Sequence, residues 1–435
     1  LAVGVTGSVT GVLYTHQKFG KLPMADLIQP AIDLAQKGFA LTEREANLLN
    51  ETREDFLKHN SHPTAFTKEI PWKKGDILVQ KELAQTLKLI QKQGEKAFYE
   101  GKNAQLLVAE MKRGNGIITL EDLKNYKTKE RNALQFDYKN HEIISMPLPS
   151  SGGILLAQML KMSSFENLEN FQQNSPEAVQ VMVEAERRAF ADRAEFMGDP
   201  DFIEDKTQML ISEEYLKNRW KNFSFEKATP SAEVGKIIAQ PKESTETTHI
   251  SIIDKFGNAV AVTTTLNGLY GSKVVVKGGG YFLNNEMDDF SVKPGVPNMF
   301  GAVGGEANKI EPNKRMLSSM TPTIVLKNGK PYIVVGTPGG TTIPTSVYQS
   351  IVNVIDFKMT PSSAVNSAKF HHQWLPEMVF VEKNFPESTL KILEQKNYKF
   401  EKRGGIGRTE MIVIDENGNA TAVADSRGDD SVAVE

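Results

Sequence analysis

The sequence predicts an α+β fold in which helices cover antiparallel sheets. Apolar residues recur at helical spacing through most of the first half, whereas the second half contains three units that each read as strand, turn and strand. Helical stretches join these units, and a sheet buries its apolar face by packing against such helices. Helices and strands therefore dominate different parts of the chain, which is typical of α+β proteins.

Four helices are predicted in the first half. The first is followed by Gly38, a residue type that often ends a helix in the left-handed conformation. A capping box from Thr119 to Asp122 opens the third, and Gly198-Asp199-Pro200 stops the fourth. The predicted ranges are 25–37, 81–99, a short helix after 119, and 176–197.

The three strand–turn–strand units combine alternating apolar residues with a turn. The second and third units turn at Asn328-Gly329 and Asn417-Gly418, a dipeptide favoured in tight hairpins. The units are assigned to 248–265, 323–335 and 411–423, and helices between them to 345–357 and 361–370. The polar stretch 225–246 is the best candidate for a linker.

Composition restricts the class of protein. The 435 residues carry a net charge of −3, from 51 basic and 54 acidic side chains, so no strong field favours nucleic acid or a membrane surface. The apolar runs are too short for a transmembrane span. Cysteine is absent, which excludes disulfides, thiolate catalysis and cysteine-based metal sites.

The adjacent His371 and His372 do not predict a metal site. Neighbouring side chains point to different faces in a helix or a strand, and no third ligand follows at a suitable spacing. We therefore expect neither a metal nor another cofactor.

Thr247 lies where the polar linker meets the first strand of the unit 248–265. If the chain were cut before it, its hydroxyl would lie beside a free α-amine. Such an amine has a pKa of about 7.7–8.0, which suits a general base at neutral pH. One residue would then supply both nucleophile and base. The alternative is a threonine selected only for its preference for strands, and the position alone favours that alternative.

Further motifs occur in order along the whole chain. They are Leu22-Pro23, Leu27–Ile32, Ser145–Gly153, Ala191–Pro200, Thr247–His249, Leu283–Ser291, Pro312–Pro322, Gly336–Gly340 and Phe370–Pro376. Together they resemble the γ-glutamyltranspeptidases (glutathione hydrolases), a family of the N-terminal-nucleophile superfamily. The resemblance implies an αββα sandwich, with helices covering two stacked antiparallel sheets.

The resemblance also implies an activity. Members cut themselves before the nucleophile, here between Glu246 and Thr247. The products would be a large subunit, 1–246, and a small catalytic subunit, 247–435, which remain together as a heterodimer in one αββα domain. Thr247 then attacks the γ-amide of glutathione or a related γ-glutamyl compound, and water or an amino-acid or peptide acceptor resolves the ester. By the same resemblance we expect a bacterial protein that is periplasmic or secreted.

The family's site residues carry over position by position. Thr265 matches the threonine that orients the nucleophile, and Gly339 and Gly340 match the oxyanion hole, where backbone N–H groups approach the developing charge. Ser318 and Ser319 match the pair that donates hydrogen bonds to the substrate's α-carboxylate.

The same carry-over gives the residues at the other end of the substrate. Asn267, Glu286 and Asp289 match the group that holds the α-amino end, and two carboxylates complement an ammonium. Many bacterial members have glutamine in place of Glu286, and others have glutamate. Phe300 falls where a lid loop carries an aromatic residue, often tyrosine; phenylalanine keeps the aromatic wall and lacks the tyrosine hydroxyl.

Two alternatives stay open. One is an acylase for glutaryl-type amides, although Glu286 and Asp289 argue for a substrate with an α-amine. The other is a non-catalytic, unprocessed remnant that binds γ-glutamyl ligands. The chain begins at Leu1, downstream of the family segment that carries an arginine for the substrate carboxylate. We therefore expect a large-subunit portion truncated at its N-terminus, and poor solubility and low activity for residues 1–435 alone.

Overall fold

The computed structural model describes residues 1–235, 247–293, 296 and 305–434. The chain forms two units. We name residues 1–130 with 266–287 the helical unit, and residues 131–265 with 288–435 the sheet unit. The expected cleavage point, between 246 and 247, falls within the sequence of the sheet unit.

The helical unit buries its apolar residues in separate clusters. One includes Leu107 and Leu123, and another includes Phe56 and Phe66, against which Phe282 packs. Its helices are α1 (Ser8–Phe19), α2 (Met24–Lys37), α3 (Glu43–Glu51), α4 (Arg53–His59), α5 (Lys81–Gln93), α6 (Lys96–Tyr99), α7 (Lys102–Arg113) and α8 (Leu120–Asn125), and its short antiparallel strands are β1 (Phe39–Ala40) and β2 (Ile77–Leu78).

Most of the helix predictions in this unit are confirmed, but the single helix predicted at 81–99 is wrong. Gly94 has a φ of +63°, in the left-handed region, and it separates α5 from α6. Apolar burial continues past the break at Phe98, which is why the spacing predicted one helix. Gly38 ends α2 with a φ of +87°, and the capping box at Thr119 and Asp122 opens α8.

The sheet unit contains the three predicted hairpins. Its helices are α9 (Gly152–Ser163), α10 (Pro176–Phe196), α11 (Thr207–Leu210), α12 (Glu213–Trp220), α13 (Ser231–Val234), α14 (Thr342–Ile355), α15 (Pro361–Asn366) and α16 (Glu387–Gln395). Its strands are β3 (Leu134–Tyr138), β4 (His141–Ser145), β5 (Thr248–Ile253), β6 (Ala259–Thr264), β7 (Thr323–Lys327), β8 (Lys330–Gly336), β9 (Phe370–His371), β10 (Val379–Glu382), β11 (Phe400–Arg403), β12 (Glu410–Ile414) and β13 (Ala420–Val423). Within the described ranges, no helix of either unit is long and apolar enough to cross a membrane.

The main sheet lies between helices and the β5–β6 hairpin. In the described chain its strand order is β13-β12-β8-β7-β4-β3, with antiparallel neighbours. Ile333 and Val335 of β8 belong to a large apolar core that includes residues of α9, α10 and α14. Side chains alternate along a strand, so Val334 and Gly336 face the other way, and Gly336 meets His249 of β5. The described chain thus shows three layers, helices, main sheet and hairpin, in the order that the α, β and β layers have in an αββα sandwich.

Elements near the hairpins differ from the sequence prediction in two places. The helix predicted at 361–370 ends at Asn366, because Phe370 instead begins β9, which pairs with β10. The predicted linker, 225–246, contains helix α13, which is anchored to the core: Ser231 Oγ donates to the Trp374 carbonyl at 2.6 Å, and the Trp374 indole donates to the Ser231 carbonyl at 2.9 Å. Structure therefore extends further into this polar stretch than its composition indicates.

Candidate active site

Thr247 directly precedes β5, and its side chain is paired with a second threonine. The register joins Thr248 to Thr264, so that Thr247 lies opposite Thr265. Thr247 Oγ1 donates a hydrogen bond to Thr265 Oγ1 at 3.3 Å. Along β5 and β6 burial alternates with a period of two, and Thr247 shares the inward face with His249. The pair predicted to be nucleophile and orienting threonine therefore faces the main sheet.

His249 fastens this hairpin to the main sheet. Its Nε2 lies 3.0 Å from Ser251 Oγ, and the Ser251 hydroxyl donates to the Glu410 carbonyl of β12 at 3.1 Å. Since the serine hydrogen is used there, Nε2 carries the imidazole hydrogen, and Nδ1 accepts from Thr263 Oγ1 at 2.7 Å. Burial lowers the pKa of His249 to about 4. The ring is therefore a neutral anchor at physiological pH, a role that the sequence did not reveal.

Gly339 and Gly340 form the turn between β8 and α14. Their φ angles are +142° and +58°, which favour glycine. The Gly339 carbonyl accepts hydrogen bonds from the Thr342 backbone N–H at 3.0 Å and from Thr342 Oγ1 at 2.8 Å. The turn also lies at the N-terminus of a 14-residue helix, where the helix dipole favours negative charge. The hydrogen-bonded turn and its position at a helix N-terminus suit a site whose backbone N–H groups bind an oxyanion.

The Ser318–Ser319 pair is held by the segment that leads into α9. The Ser318 backbone N–H donates to the Pro149 carbonyl at 2.9 Å. The Ser318 carbonyl accepts from the backbone N–H and the hydroxyl of Ser151, each at 2.9 Å. The Met320 backbone N–H donates to Ser318 Oγ at 3.1 Å. The backbone at this pair is therefore fixed on both sides.

Asp289 is connected to the same region through one amide side chain. Asn308 Nδ2 donates to the Asp289 carbonyl at 2.7 Å, and Asn308 Oδ1 accepts from the Leu317 backbone N–H at 3.0 Å. Leu317 immediately precedes the serine pair. Asn308, which the sequence reasoning missed, thus joins the segment of the predicted ammonium ligand to that of the predicted carboxylate ligands.

Asn267 and Glu286 belong to the helical unit. Asn267 has a φ of +72°, and its Nδ2 donates to the Asn285 carbonyl at 3.1 Å. The Glu286 backbone N–H donates to Asn284 Oδ1 at 3.1 Å, and burial raises the pKa of the Glu286 carboxyl to about 7. Their assignment to the substrate's amino end rests on the resemblance alone.

Glu246 and Phe300 lie outside the described residues. The adjacent histidines, His371 and His372, have a structural role. His371 Nδ1 lies 2.8 Å from Thr345 Oγ1, and its Nε2 lies 2.9 Å from Gln373 Oε1. Burial lowers the pKa of His371 to about 3 and that of His372 to about 4. Among the residues with described positions, no group of three acidic or histidine side chains could hold a metal ion.

Comparison with known proteins gives matches along the entire chain. Residues 1–435 match a family model described as gamma-glutamyltranspeptidase. A glutathione hydrolase proenzyme of Escherichia coli (strain K12) is 43% identical over 434 residues, which cover 99% of this chain and 75% of that protein. A glutathione hydrolase proenzyme of Pseudomonas sp. (strain A14) is 43% identical over 403 residues, which cover 92% of this chain and 70% of that protein.

One solved structure shares the architecture at lower sequence identity. A cephalosporin acylase from Bacillus halodurans superimposes with a TM-score of 0.85, covering 99% of this chain and 78% of that structure. Its identity to this chain is 23%, so the likeness concerns the fold alone. The arrangement of helices around stacked sheets is thus shared with an acylase, whereas the sequence matches come from proteins named glutathione hydrolase.

Proposed function

The chain belongs to the γ-glutamyltranspeptidase family, enzymes with the N-terminal-nucleophile hydrolase fold, and on this premise we propose that Thr247 transfers or hydrolyses the γ-glutamyl group of glutathione and related amides. The observation that carries the residue assignment is the Thr247–Thr265 hydrogen bond at the start of the β5–β6 hairpin. It fixes the hydroxyl that would react, on the hairpin face that packs against the main sheet.

Self-cleavage would come first. The Thr247 hydroxyl attacks the carbonyl of Glu246, the peptide C–N bond breaks, and an ester replaces it. Water hydrolyses the ester, which leaves a carboxylate on Glu246 and a free α-amine on Thr247. The products are a large subunit ending at Glu246 and a small subunit beginning at Thr247, which stay together as a heterodimer.

Catalysis would reuse the same hydroxyl. The new α-amine, with a pKa of about 7.7–8.0, takes the Thr247 hydroxyl proton as the oxygen attacks the γ-carbonyl of the donor. Backbone N–H groups at Gly339 and Gly340 stabilise the oxyanion. The ammonium formed at Thr247 then protonates the departing amine. The resulting γ-glutamyl ester on Thr247 is resolved by water or by an acceptor amine.

Substrate orientation would come from groups at both ends of the glutamyl moiety. Ser318 and Ser319 donate hydrogen bonds to its α-carboxylate, and Asp289 accepts them from its α-ammonium. On the resemblance alone, Asn267 and Glu286 also serve the amino end. By the same resemblance we propose an exported bacterial location for the enzyme.

The test compares three forms of the protein, each expressed from the complete gene. Wild type should yield two fragments, the smaller with Thr247 as its N-terminal residue, and should release glutamate from glutathione. Thr247→Ala should remain one chain and be inactive. Thr248→Ala is the matched control, because Thr248 is exposed on the opposite face of β5. This variant should be cleaved and active. Intact-mass measurement and N-terminal sequencing decide the matter; a cut elsewhere, or a cleaved Thr247→Ala chain, would refute the assignment.

A further inference from the structure

Arg193 is a buried arginine on α10 whose hydrogen bonds reach the candidate carboxylate site. Only 5% of its surface is exposed. Its Nε donates to Ser151 Oγ at 3.0 Å, and its Nη2 donates to Ser319 Oγ at 3.3 Å. One guanidinium thus contacts both the serine that supports the Ser318 carbonyl and a serine of the candidate pair.

The guanidinium sets the direction of these hydrogen bonds. Arginine has donors and no acceptor, so Ser151 Oγ and Ser319 Oγ must both accept. The Ser151 hydroxyl hydrogen is then given to the Ser318 carbonyl at 2.9 Å. In the described part of the chain, the Ser319 hydroxyl hydrogen has no protein acceptor. It remains available for a ligand.

The Ser318 hydroxyl also accepts one hydrogen bond and keeps its own hydrogen for a ligand, but its partner is different. Its Oγ accepts from the Met320 backbone N–H at 3.1 Å, and among the described residues no protein group accepts its own hydrogen. Both hydroxyls therefore have an occupied lone pair and a free hydrogen. Two adjacent donors of this kind suit a carboxylate and do not suit an ammonium.

The charge of Arg193 has the sign that this arrangement needs. Burial lowers the pKa of Arg193 to about 10, and the nearby Asp289 acts in the opposite direction, so the guanidinium stays protonated at neutral pH. A positive charge behind Ser319 polarises its O–H bond towards a negative ligand. The same charge interacts electrostatically with Asp289, the predicted partner of the substrate's ammonium.

We propose that Arg193 is a positioning residue for substrate selection: acting with Ser151, it fixes Ser318 and Ser319 as paired donors for the α-carboxylate of the γ-glutamyl donor. This inference rests on the proposed function. Arg193 acts through the serines and is not proposed to touch the substrate. Lysine would replace it only in part, because one ammonium lacks the planar fork that reaches two separate hydroxyls.

The experiment uses two donors that differ only at the α-carbon: a γ-glutamyl anilide with a free α-carboxylate, and the same compound with an α-carboxamide. Arg193→Gln should lower kcat/KM for the carboxylate donor on the order of a hundredfold, as expected for a reacting group misplaced by about 1 Å. Its effect on the carboxamide donor should be several-fold at most. Arg193→Lys should recover only part of the loss.

Ser151→Ala and Ser150→Ala form the matched pair. Ser151→Ala removes the acceptor of Arg193 and the donor to Ser318, so it should reproduce the selective loss. Ser150 donates to the Met320 carbonyl at 2.7 Å and has no bond to Arg193. Ser150→Ala should therefore affect both donors alike. If Arg193→Gln fails to fold or to mature, Ser151→Ala alone decides.

The outcomes separate this inference from the proposed function. A wild-type protein that is expressed from the complete gene, is not cut before Thr247 and releases no glutamate contradicts the proposed function itself. If wild type is active but Arg193→Gln and Ser151→Ala lose both donors equally, or lose neither, the positioning role is wrong and Arg193 serves only the fold.

Discussion

The imidazole of His249 lies against Gly336, so closely that a Cβ on this glycine would come within 2.1 Å of the ring. Real Cβ atoms do not approach other atoms at this distance, and the ring has little freedom because both of its nitrogens are hydrogen-bonded. The glycine therefore sets how closely the β5–β6 hairpin, and with it Thr247, packs on the main sheet.

Replacing Gly336 with alanine should displace the hairpin. Overpacking a buried site costs about 1–3 kcal/mol of unfolding free energy, and here the shift would also move Thr247. We expect Gly336→Ala to lower the thermal midpoint and to slow self-cleavage, both measurable on freshly purified protein. Gly404→Ala is the control, since no atom lies within 4 Å of the Cβ it would add. Equal melting and equal maturation of the two variants would contradict the packing argument.

Acid should destabilise the fold through His249. Its pKa is about 4 in the folded chain, against about 6.5 when unfolded. Between these values the unfolded state binds more protons, so the stabilising contribution is fully present above pH 6.5 and is lost as the pH falls towards 4. The loss for this one group is about 3 kcal/mol.

His249→Gln should therefore flatten the pH dependence of stability. The variant loses contacts and is expected to be less stable at pH 7, but its unfolding free energy should fall less steeply between pH 6.5 and pH 4.5. His371 and His372 titrate in the same direction and remain in both proteins. Denaturant unfolding at several pH values gives the two slopes; identical slopes would show that His249 does not titrate as proposed.

Local patterns predicted the elements that carry Thr247 and Thr265. Alternating apolar residues were sufficient for the β5–β6 hairpin, because register and facing side chains follow from a period of two. Helix ends were harder to predict from the sequence. Gly94 breaks a pattern that continues in the buried Phe98, and only its left-handed backbone reveals the break.

The groups that support the site could not be read from the sequence. Arg193 contacts Ser151 and Ser319, which are 42 and 126 residues away along the chain. It falls within the motif Ala191–Pro200, but no role was assigned to it from the sequence, because a charged residue in a helix is usually exposed. His249 and Asn308 were missed for the same reason, since their partners come from other elements of the fold.

Breaking the buried ion cluster on α10 should strongly destabilise the sheet unit. Although burial alone would raise it, the pKa of Glu184 is lowered by Arg187 and Arg188. Glu184 Oε2 lies 2.5 Å from Arg188 Nη1, and Glu184 Oε1 accepts from the Tyr398 hydroxyl at 2.9 Å. Removing one partner from such a cluster leaves buried charge without compensation.

Glu184→Gln should therefore cost about 3–5 kcal/mol of unfolding free energy. Glu177→Gln, on the exposed side of the first turn of the same helix, is the control and should change stability little. Chemical denaturation of both variants tests the difference. A loss below about 1 kcal/mol for Glu184→Gln would show that the cluster is no more stabilising than a neutral hydrogen-bonded group.

Asp289 provides the sharpest test of how the donor is recognised. The substrate's ammonium is proposed to pair with the carboxylate of Asp289. Losing one charged partner in a partly closed site costs about 2–4 kcal/mol of binding free energy. Asp289→Asn should accordingly raise KM for a γ-glutamyl anilide by roughly 30-fold to 1,000-fold. For a glutaryl anilide, which lacks the α-amine, the change should be small. Asp288→Asn, in the same 3-10 turn, is the matched control. Because Asp289 also interacts electrostatically with Arg193, the variant leaves that buried cation less compensated, and binding of the α-carboxylate should not weaken. Equal losses on both anilides would instead mean that Asp289 maintains the local structure and does not select the amine.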